Sequence, residues 1–594
     1  MTEPIATHTD VPPDAAVSCF RKAKAALDEG RTREALDGLR RAAAIDPGLS
    51  YLYHFLGEAR LRAGEHYDAL LSYTRAFHIS ADDLPSMMRA ADLHAFCGKW
   101  DESERLAGKV VGRSGGDIIP LYVWALSLYH LNRPDEAATT LRRVLQIDPN
   151  RLNAHYYLGL CHRDLGDLAA ARACFSQVTR AIGSYPQAKS NFILTEAFFA
   201  EAMIAKRLGE TSQNGHAGLL AEQALAEAQR ALQAGAYQTA ARSFAEALAL
   251  SPDNAAAAQG AQACFADWER GILASDRSLA DKHTEWFTLL ASQGEVAYRR
   301  ALAETPAYYA TPAPNPASVL ADAPAARRRV FDGFMLSEEL DVLELRLNEL
   351  DDCVDYFVLV ESPWTHQGTP KRLAYAENKE RFRRFAHKII HVIADRRLGK
   401  LTWHQENYQR DCILDGLGDA RDDDILLVSD LDEIPRKDVI RKIAATPRLS
   451  SQLLVLGMVL RAYFVNFESY EPWTKTVALP VGLARRIGPN LCRYIMLRPP
   501  TIQIVKVLYG AGWHLTWMGG AEAIIRKYHS YAHTEHTAVA PSDGEIRRAV
   551  SSGAITRLGR TGRWIDHTAD CPDTIRQNPN HFKALGWVHQ PPSG

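Results

Sequence analysis

Several features are scarce in this 594-residue sequence, and each absence excludes a class of protein. Nine cysteines are few for this length and none forms a Cys-x-x-Cys pair, so a disulfide framework, a zinc finger and dithiol redox chemistry are not expected. No apolar run approaches the roughly 20 residues that span a bilayer, and residues 1–13 lack the features of a signal peptide. We therefore expect a cytoplasmic protein whose reduced thiols, such as Cys412 and Cys492, fill the core.

The charge is balanced, because 69 lysines and arginines face 71 aspartates and glutamates and give a net charge of -2. Nothing global therefore draws the chain to nucleic acid or to an anionic membrane, and any charged ligand must bind at a local site. The 46% content of hydrophobic residues is ordinary for a packed globular protein. The length exceeds what one hydrophobic core can organise, so more than one domain is expected.

The clearest pattern is a turn residue that recurs every 34 positions in the first third of the chain. A small side chain follows each turn residue by five positions, which allows two helices to approach closely. The turn residues are Gly30, Gly64, Gly98, Asn132 and Gly166, and the small residues are Ala35, Ala69, Ser103, Ala137 and Ala171. Apolar residues recur between them at helical spacing, so each period predicts two amphipathic helices.

This pattern resembles the tetratricopeptide repeat, whose period is 34 residues. A less regular unit follows at residues 219–254, with Gly235 at the turn, and helical sequence continues to about Ala303. We therefore predict an all-α superhelix of tetratricopeptide repeats over residues 15–303. The resemblance implies a concave groove for an extended peptide or a partner protein, and the alternative is a scaffold that only stiffens or dimerises the chain.

Residues 304–329 are rich in proline and alanine and are interpreted as a linker between domains. Apolar strand-like runs then alternate with helical patterns over residues 330–594. This alternation predicts an α/β domain with a largely parallel sheet, and the linker predicts that this domain folds on its own.

An acidic cluster follows the fully apolar run of residues 425–428. Asp430 and Asp432 are separated by one residue, so both can point to the same side of an extended backbone. Their oxygens suit a hard divalent cation such as Mn²⁺ or Mg²⁺, and we predict that both aspartates bind it. The alternative is that Asp432 or Glu433 caps a helix that begins near Pro435.

A second candidate region follows the apolar run that ends at Val360. Glu361, His366 and Lys371 lie in or after this strand end, where ligands gather in α/β sheets, and are predicted donor contacts. A hydrogen-bonded loop histidine is the alternative for His366. Arg346, in a helix with several other charges, is interpreted as a structural ion pair or as a donor contact.

Five ordered motifs resemble glycosyltransferase family 17, the family of bisecting β-1,4-N-acetylglucosaminyltransferases. They are Phe331-Asp332-Gly333-Phe334, the helix of residues 339–347, Val360-Glu361-Ser362 with Thr365-His366-Gln367-Gly368, Ser429-Asp430-Leu431-Asp432-Glu433-Ile434-Pro435, and Gly512-Trp513-His514. The resemblance implies a GT-A-type, Rossmann-like fold, UDP-N-acetylglucosamine as donor and transfer with inversion. It also implies that Asp430 contacts the donor at the Asp-x-Asp motif.

The resemblance further implies a distal histidine that completes the metal shell, and His514 is the first candidate, ahead of His529, His533 and His536. The segment of residues 512–520 is interpreted as a lid or an acceptor wall because it combines glycines with tryptophans. Inverting transfer also needs a general base free of the metal, for which Glu361 and Glu535 are the candidates.

The sequence therefore predicts a metal-dependent hexosyltransferase that acts on a protein or glycan acceptor recruited by the repeats. Two alternatives stay open. One is an interaction scaffold whose transferase domain is inactive. The other is a metal-dependent phosphohydrolase or nucleotidyltransferase, which also uses clustered aspartates.

Overall fold

The structure is a computed structural model that describes the chain in eleven ranges. These are residues 15–181, 192–210, 215–310, 328–366, 368–398, 402–469, 472–495, 505–530, 541–552, 562–566 and 570–589. The chain divides into two compact units, Met1–Ala154 and His155–Gly594, each of which is described by itself. In the described ranges, no helix combines the length and the apolar character needed to cross a membrane.

The first unit is built from helices that pack in consecutive pairs. Their bounds are α1 (Ala15–Asp28), α2 (Thr32–Ile45), α3 (Ser50–Arg62), α4 (His66–Ile79), α5 (Leu84–Phe96), α6 (Trp100–Ser114), α7 (Ile118–His130) and α8 (Pro134–Ile147). The predicted helical array is therefore confirmed in this unit.

The recurring turn residues have the backbone conformation that explains their spacing. Gly30, Gly64 and Gly98 have φ of 80°, 79° and 71°, and Asn132 takes the same place with φ of 60°. This left-handed conformation favours glycine and tolerates asparagine, and it lets the chain reverse between the two helices of a repeat.

Small residues allow the paired helices to approach closely. A Cβ atom at Gly57 would lie 2.6 Å from the Tyr73 ring, which is buried against that glycine. The small residues predicted after each turn, Ala35, Ala69, Ser103, Ala137 and Ala171, are all 0% exposed. The interpretation that they permit helix–helix contact is therefore confirmed.

The second unit begins with further helices and then forms a sheet. The helices are α9 (Leu152–Asp164), which crosses the unit boundary, α10 (Leu168–Arg180), α11 (Phe192–Arg207), α12 (Gly215–Gln233), α13 (Tyr237–Leu250), α14 (Ala255–Ala274) and α15 (Leu279–Glu304). Gly235, the turn of the irregular repeat, has φ of 71°. A short 3₁₀ turn at Pro306–Tyr308 follows, and residues 311–327 of the predicted linker lie outside the described residues.

Ten strands form one sheet in the described part of the second unit. They are β1 (Val330–Leu336), β2 (Tyr356–Glu361), β3 (Ile389–Ile393), β4 (Ile425–Val428), β5 (Glu433–Pro435), β6 (Leu454–Ala462), β7 (Phe467–Ser469), β8 (Trp473–Pro480), β9 (Lys506–Thr516) and β10 (Gly562–Trp564). The spatial order is β10-β7-β6-β8-β4-β1-β2-β3, and β9 pairs with β5 and β6.

The expectation of a largely parallel sheet holds for only part of this order. Strands β3, β2, β1 and β4 are parallel, and helices or 3₁₀ turns form the crossover connections that parallel strands need. Strand β8 is antiparallel to both β4 and β6, which makes the sheet mixed. The parallel part matters for function, since the carboxyl ends of its strands share one edge.

Shorter helices cover the sheet. They are α16 (Leu340–Leu350), α17 (Ala374–Glu377), α18 (Thr402–Asp411), α19 (Lys437–Ala445), α20 (Pro447–Ser450), α21 (Val481–Ile487), α22 (Pro489–Tyr494), α23 (Gly520–Ser530), α24 (Asp543–Ser552), α25 (Asp573–Gln577) and α26 (Pro579–Ala584). Cys412 and Cys492 are buried free thiols, and burial raises the pKa of Cys412 to about 11. Their predicted role in packing is confirmed.

The last helices before the linker share a core with the sheet domain. Trp403 of α18 and Tyr494 of α22 are 2% and 5% exposed and belong to the same apolar cluster as Trp286 of α15. Lys506 of β9 pairs with Asp164 of α9 at 2.5 Å, and both side chains are buried. Residues 155–304 therefore pack with the sheet, whereas the sequence predicts a domain boundary at residues 304–329.

We expect the fragment 149–594 to be soluble and to melt cooperatively, and the fragment 330–594 to aggregate. Removing the helices exposes Trp403 and Tyr494 and leaves Lys506 without its buried partner, and exposing each buried aromatic costs about 1.5–3 kcal/mol. Size-exclusion chromatography and thermal melts of both fragments and the full chain measure this. If fragment 330–594 melts like fragment 149–594, the shared core is not needed and the predicted independent domain is correct.

Candidate active site

The acidic cluster lies at the edge where the parallel strands end. Asp430 and Asp432 follow β4, which is bracketed by β1 and β8. Glu433 begins β5 and pairs with His514 of β9, so the strand pairing brings His514 to the acidic segment. Glu433 and His514 are 81 positions apart in the sequence and are thereby placed together.

Arg346 of α16 holds the backbone of this acidic segment. Its Nη1 donates to the carbonyl oxygens of Asp430, Leu431 and Glu433 at 3.0, 3.0 and 2.7 Å. Its other donors pair with the carboxylate of Asp332 in β1 at 2.6 and 2.8 Å, and both side chains are 0% exposed. The structural interpretation of Arg346 is therefore correct, and the guanidinium fixes where the two aspartates stand.

Glu433 is a second buried anchor and does not cap a helix. Its oxygens accept from Arg493 at 2.9 Å twice, from Trp473 Nε1 at 2.6 Å and from Thr476 Oγ1 at 2.7 Å. Helix α19 begins at Lys437 without a side-chain cap, so the capping alternative for Asp432 and Glu433 is wrong. The carboxylate of Glu433 instead joins β5, β8 and α22.

Asp430 is held by two arginines. Arg410 Nη2 donates to its Oδ1 at 3.0 Å, and Arg493 Nη2 donates to its Oδ2 at 2.8 Å. Burial opposes ionisation, but Arg493 and Arg410 hold the pKa of Asp430 far below its ordinary value. The side chain keeps 34% exposure, so it can still meet a substrate. Its predicted contact with a metal stays a prediction, since both oxygens already accept hydrogen bonds.

Asp432 lies beside His514 and Lys527. Its Oδ1 is 3.4 Å from His514 Nε2, and its Oδ2 accepts from Lys527 Nζ at 3.2 Å. Burial again opposes ionisation, while Lys527 and His514 lower the pKa of Asp432 below its ordinary value. His514 Nδ1 is buried without a hydrogen-bond partner among the described residues, and Trp473 packs on the imidazole at 4.4 Å.

The donor atoms of Asp432 and His514 fit two adjacent positions around one small cation. A separation of 3.4 Å between Oδ1 and Nε2 matches two ligands of a common ion, and Mg²⁺ commonly takes one or two protein ligands with substrate oxygens and water. Among the described residues, no group of three or more His, Cys, Asp or Glu side chains could hold a metal ion. Asp432 and His514 would therefore supply two ligands of a metal site whose other ligands come from substrate and water.

His366 is connected to the same acidic cluster by residues of α18, a helix that belongs to none of the sequence motifs. His366 Nδ1 lies 4.0 Å from Glu406 Oε2, and Glu406 pairs with Arg410 at 2.9 Å. Burial lowers the pKa of His366 below its ordinary value, while Glu406 opposes this shift. Burial opposes the ionisation of Glu406, but Arg410 and His366 lower its pKa to about 2.

The predicted residues after β2 divide into two kinds. Glu361 is 0% exposed and accepts from the backbone N–H of Tyr375 and Ala376 at 2.9 and 3.2 Å and from His391 Nε2 at 2.9 Å. A carboxylate enclosed in this way holds a loop and does not fit a base that must meet an acceptor hydroxyl. Lys371 donates to the carbonyl of Ser337 at 3.1 Å, at the end of β1, and burial lowers its pKa.

Residues 512–516 of the segment interpreted as a lid belong to a strand of the core. Residues Lys506–Thr516 form β9, and Trp513 is 4% exposed. A Cβ atom at Gly512 would lie 2.4 Å from the carbonyl oxygen of Ile434, so this glycine allows β5 and β9 to pair rather than giving flexibility. Glu535, His533 and His536 lie outside the described residues, as does the side chain of His529.

Sequence reasoning missed the cations that surround the two aspartates. Arg410 and Glu406 occupy adjacent turns of α18, Arg493 lies on α22 and Lys527 on α23. The i, i+4 spacing of Glu406 and Arg410 was a local signal for an ion pair. The other two residues carry no local signal, because only the tertiary fold brings them to Asp430 and Asp432.

Comparison with known proteins identifies two families in the chain. Residues 318–553 match the family model described as Glycosyltransferase family 17, and residues 122–188 match that described as Tetratricopeptide repeat. Both predicted resemblances are therefore confirmed. One segment of the chain is thus similar to glycosyltransferase family 17 and another to tetratricopeptide repeats.

The curated relatives match part of the chain. The Beta-1,4-mannosyl-glycoprotein 4-beta-N-acetylglucosaminyltransferase of Homo sapiens is 26% identical over 325 residues, covering 45% of this chain and 59% of that protein. Its counterpart in Rattus norvegicus is 27% identical over 273 residues, covering 41% of this chain and 49% of that protein. The chain thus spans between half and three fifths of the length of these relatives.

The similarity to solved structures covers only part of the chain and has low TM-scores. The MamA RS-1 ArsTM double mutant is 16% identical with a TM-score of 0.29, covering 30% of this chain and 99% of that one. YrrB, described as a TPR protein with an unusual peptide-binding site, is 15% identical with a TM-score of 0.27, covering 38% of this chain and 97% of that one.

We expect Arg346→Met to lower the free energy of unfolding by about 3–5 kcal/mol, because it leaves the buried Asp332 without its cation. Urea denaturation of the full chain measures this. Arg441→Met is the matched control, since Arg441 makes an exposed ion pair with Asp352, and such pairs contribute about 0–1 kcal/mol. Equal effects of the two substitutions would show that Arg346 does not hold the acidic segment.

Proposed function

We propose that the chain transfers N-acetylglucosamine from UDP-N-acetylglucosamine to a hydroxyl of a glycan or protein-linked acceptor, with inversion at the anomeric carbon. The observation that carries this is the pair Asp432 and His514 beside Asp430, at the carboxyl edge of the parallel strands, within the segment that matches family 17. The half-sheet β3-β2-β1-β4 followed by an Asp-x-Asp segment also supports a GT-A-type fold.

The charges around the aspartates support a donor that arrives with its cation. Four carboxylates at this edge each have a basic partner: Asp332 has Arg346, Glu406 has Arg410, Glu433 has Arg493 and Asp432 has Lys527. Adding a divalent cation or a diphosphate alone disturbs this balance, whereas adding both nearly preserves it. We therefore propose that Mn²⁺ or Mg²⁺ binds weakly without nucleotide and tightly with it.

The residues of the chain take separate roles in the proposed reaction. A divalent cation at Asp432 and His514 supplies charge neutralisation for the leaving nucleotide. Arg346 and Glu433 keep the acidic segment in place, and the arginine pairs of Asp430 orient its carboxylate toward the donor. Lys371 and His366 stand at the same strand edge and support donor binding. Glu535 stays the predicted general base.

The repeats are proposed to recruit the acceptor or a partner protein. Their paired helices and left-handed turns build the repeated surface that such proteins use for peptides. Reduced cysteines, such as the buried free thiols of Cys353 and Cys492, support the proposed cytoplasmic location.

One assay separates this function from both alternatives. The full chain is incubated with UDP-N-acetylglucosamine and Mn²⁺, and UDP, free sugar and glycosylated product are quantified. Net transfer to cellular glycans or proteins supports the proposal. Cleavage to a nucleotide without any glycosidic product favours a phosphohydrolase, and a lack of donor binding in calorimetry favours an inactive scaffold.

We expect Asp432→Asn to lower turnover by about 10²–10³-fold, because an amide oxygen is a weaker metal ligand and compensates less charge. The melting temperature should change little, since Lys527 also lies 3.7 Å from Glu339 and keeps a partner. Turnover across a Mn²⁺ titration and thermal melts measure both effects. Asp438→Asn, at an exposed position of α19, is the matched control. Unchanged turnover in Asp432→Asn would refute the metal contact.

Deleting residues 1–148 should reduce transfer to a macromolecular acceptor by at least about 10-fold, the effect of losing a recruiting site, while leaving hydrolysis of the donor within about 2-fold. The fragment 149–594 retains the helices that share a core with the sheet. Rates with a glycoprotein acceptor and with water, measured on the same preparations, test this. Equal losses in both rates would contradict a recruiting role.

A further inference from the structure

Lys475 is a lysine at the active-site edge that makes no ion pair with any described residue. It lies on β8, two residues from Val477, which pairs with Val428 at the end of β4. This register places Lys475 beside the start of the acidic segment. Among the described residues, Lys475 forms no salt bridge with a carboxylate. Burial and the nearby Arg493 lower the pKa of Lys475, whereas Asp430, Glu406 and Glu433 oppose this shift.

Aromatic rings surround the ammonium group instead. Lys475 Nζ lies 4.9 Å from the centroid of Trp473, 5.3 Å from that of Phe287 and 5.9 Å from that of Tyr494. Ring faces attract a cation without accepting its N–H groups in strong hydrogen bonds. The three rings therefore hold the ammonium in place and leave its donors available to an anion.

The nearby carboxylates are already committed to other cations. Asp430 accepts from Arg410 and Arg493, and Glu433 accepts from Arg493 and Trp473. Trp473 also packs on His514, so the aromatic cage adjoins the pair proposed to hold a metal. An anion bound by Lys475 would thus lie next to that cation.

One wall of the cage comes from the helical part of the chain. Phe287 belongs to α15, and its ring lies 5.3 Å from that of Tyr494 in α22. Trp286, the neighbouring residue, packs on His404 of α18 at 4.7 Å, which fixes the helix against the element that carries Glu406 and Arg410. Helix α15 is therefore part of the active-site wall.

We propose that Lys475 binds the diphosphate of the nucleotide donor, and that Phe287 is a positioning residue that holds the ammonium for it. This rests on the proposed function, since it needs a diphosphate donor. The ligand class follows from the chemistry: a cation with free N–H donors, next to a proposed divalent cation, suits phosphate oxygens. Helix α15 would then contribute to donor affinity, separately from any recruiting role of the repeats.

The test measures the dissociation constants of UDP, UMP and uridine by calorimetry with Mn²⁺, using the full chain. We expect Lys475→Met to weaken UDP binding by about 10–100-fold, the effect of one charge-assisted contact, and to leave uridine binding unchanged. Lys475→Arg should stay within about 5-fold of the native chain, since it keeps the charge. Lys442→Met, at an exposed position of α19, is the matched control.

Phe287→Ala should weaken UDP binding by about 3–10-fold without affecting uridine binding. Phe287→Tyr should bind UDP like the native chain because the ring face is kept. Unchanged UDP binding in Lys475→Met, or equal loss of UDP and uridine, overturns the proposal. Failure of the native chain to bind UDP or UDP-N-acetylglucosamine overturns the proposed function itself. Nucleotide binding by the native chain therefore distinguishes failure of this proposal from failure of the proposed function.

Discussion

One buried guanidinium organises the sheet domain around its acidic edge. Arg346 neutralises Asp332 in the middle of β1 and donates to three backbone carbonyls of the segment that follows β4. A turn buried at the end of a strand leaves carbonyl groups that water cannot reach, and leaving them unpaired is costly. The same contacts that satisfy this backbone also set where Asp430 and Asp432 point.

Around that segment, three helices contribute charges of opposite sign. Arg410 comes from α18, Arg493 from α22 and Lys527 from α23, and each faces a carboxylate of the acidic segment. Paired charges can be buried where single charges cannot, because each offsets the desolvation of the other. The result is a site in which the buried charges of opposite sign offset one another.

The helices before the linker take part in this site. Helices α14 and α15 pack on α18 and α22, the elements that carry Arg410 and Arg493, and Phe287 reaches the ammonium of Lys475. A repeat array joined only through a linker would make no such contacts with these elements. Residues 155–304 therefore form a layer of the sheet domain.

The sequence by itself determined the local elements and the position of the acidic pair. The 34-residue period predicted the paired helices and the turns between them, because this pattern depends on neighbouring residues. Only the tertiary structure decided which side chains meet. It buried Glu361 in a loop, made a strand of the segment around Trp513, and brought Arg493 and Lys475 to Asp430. Contacts between residues that are tens of positions apart depend on strand order and helix packing, and no local pattern records them.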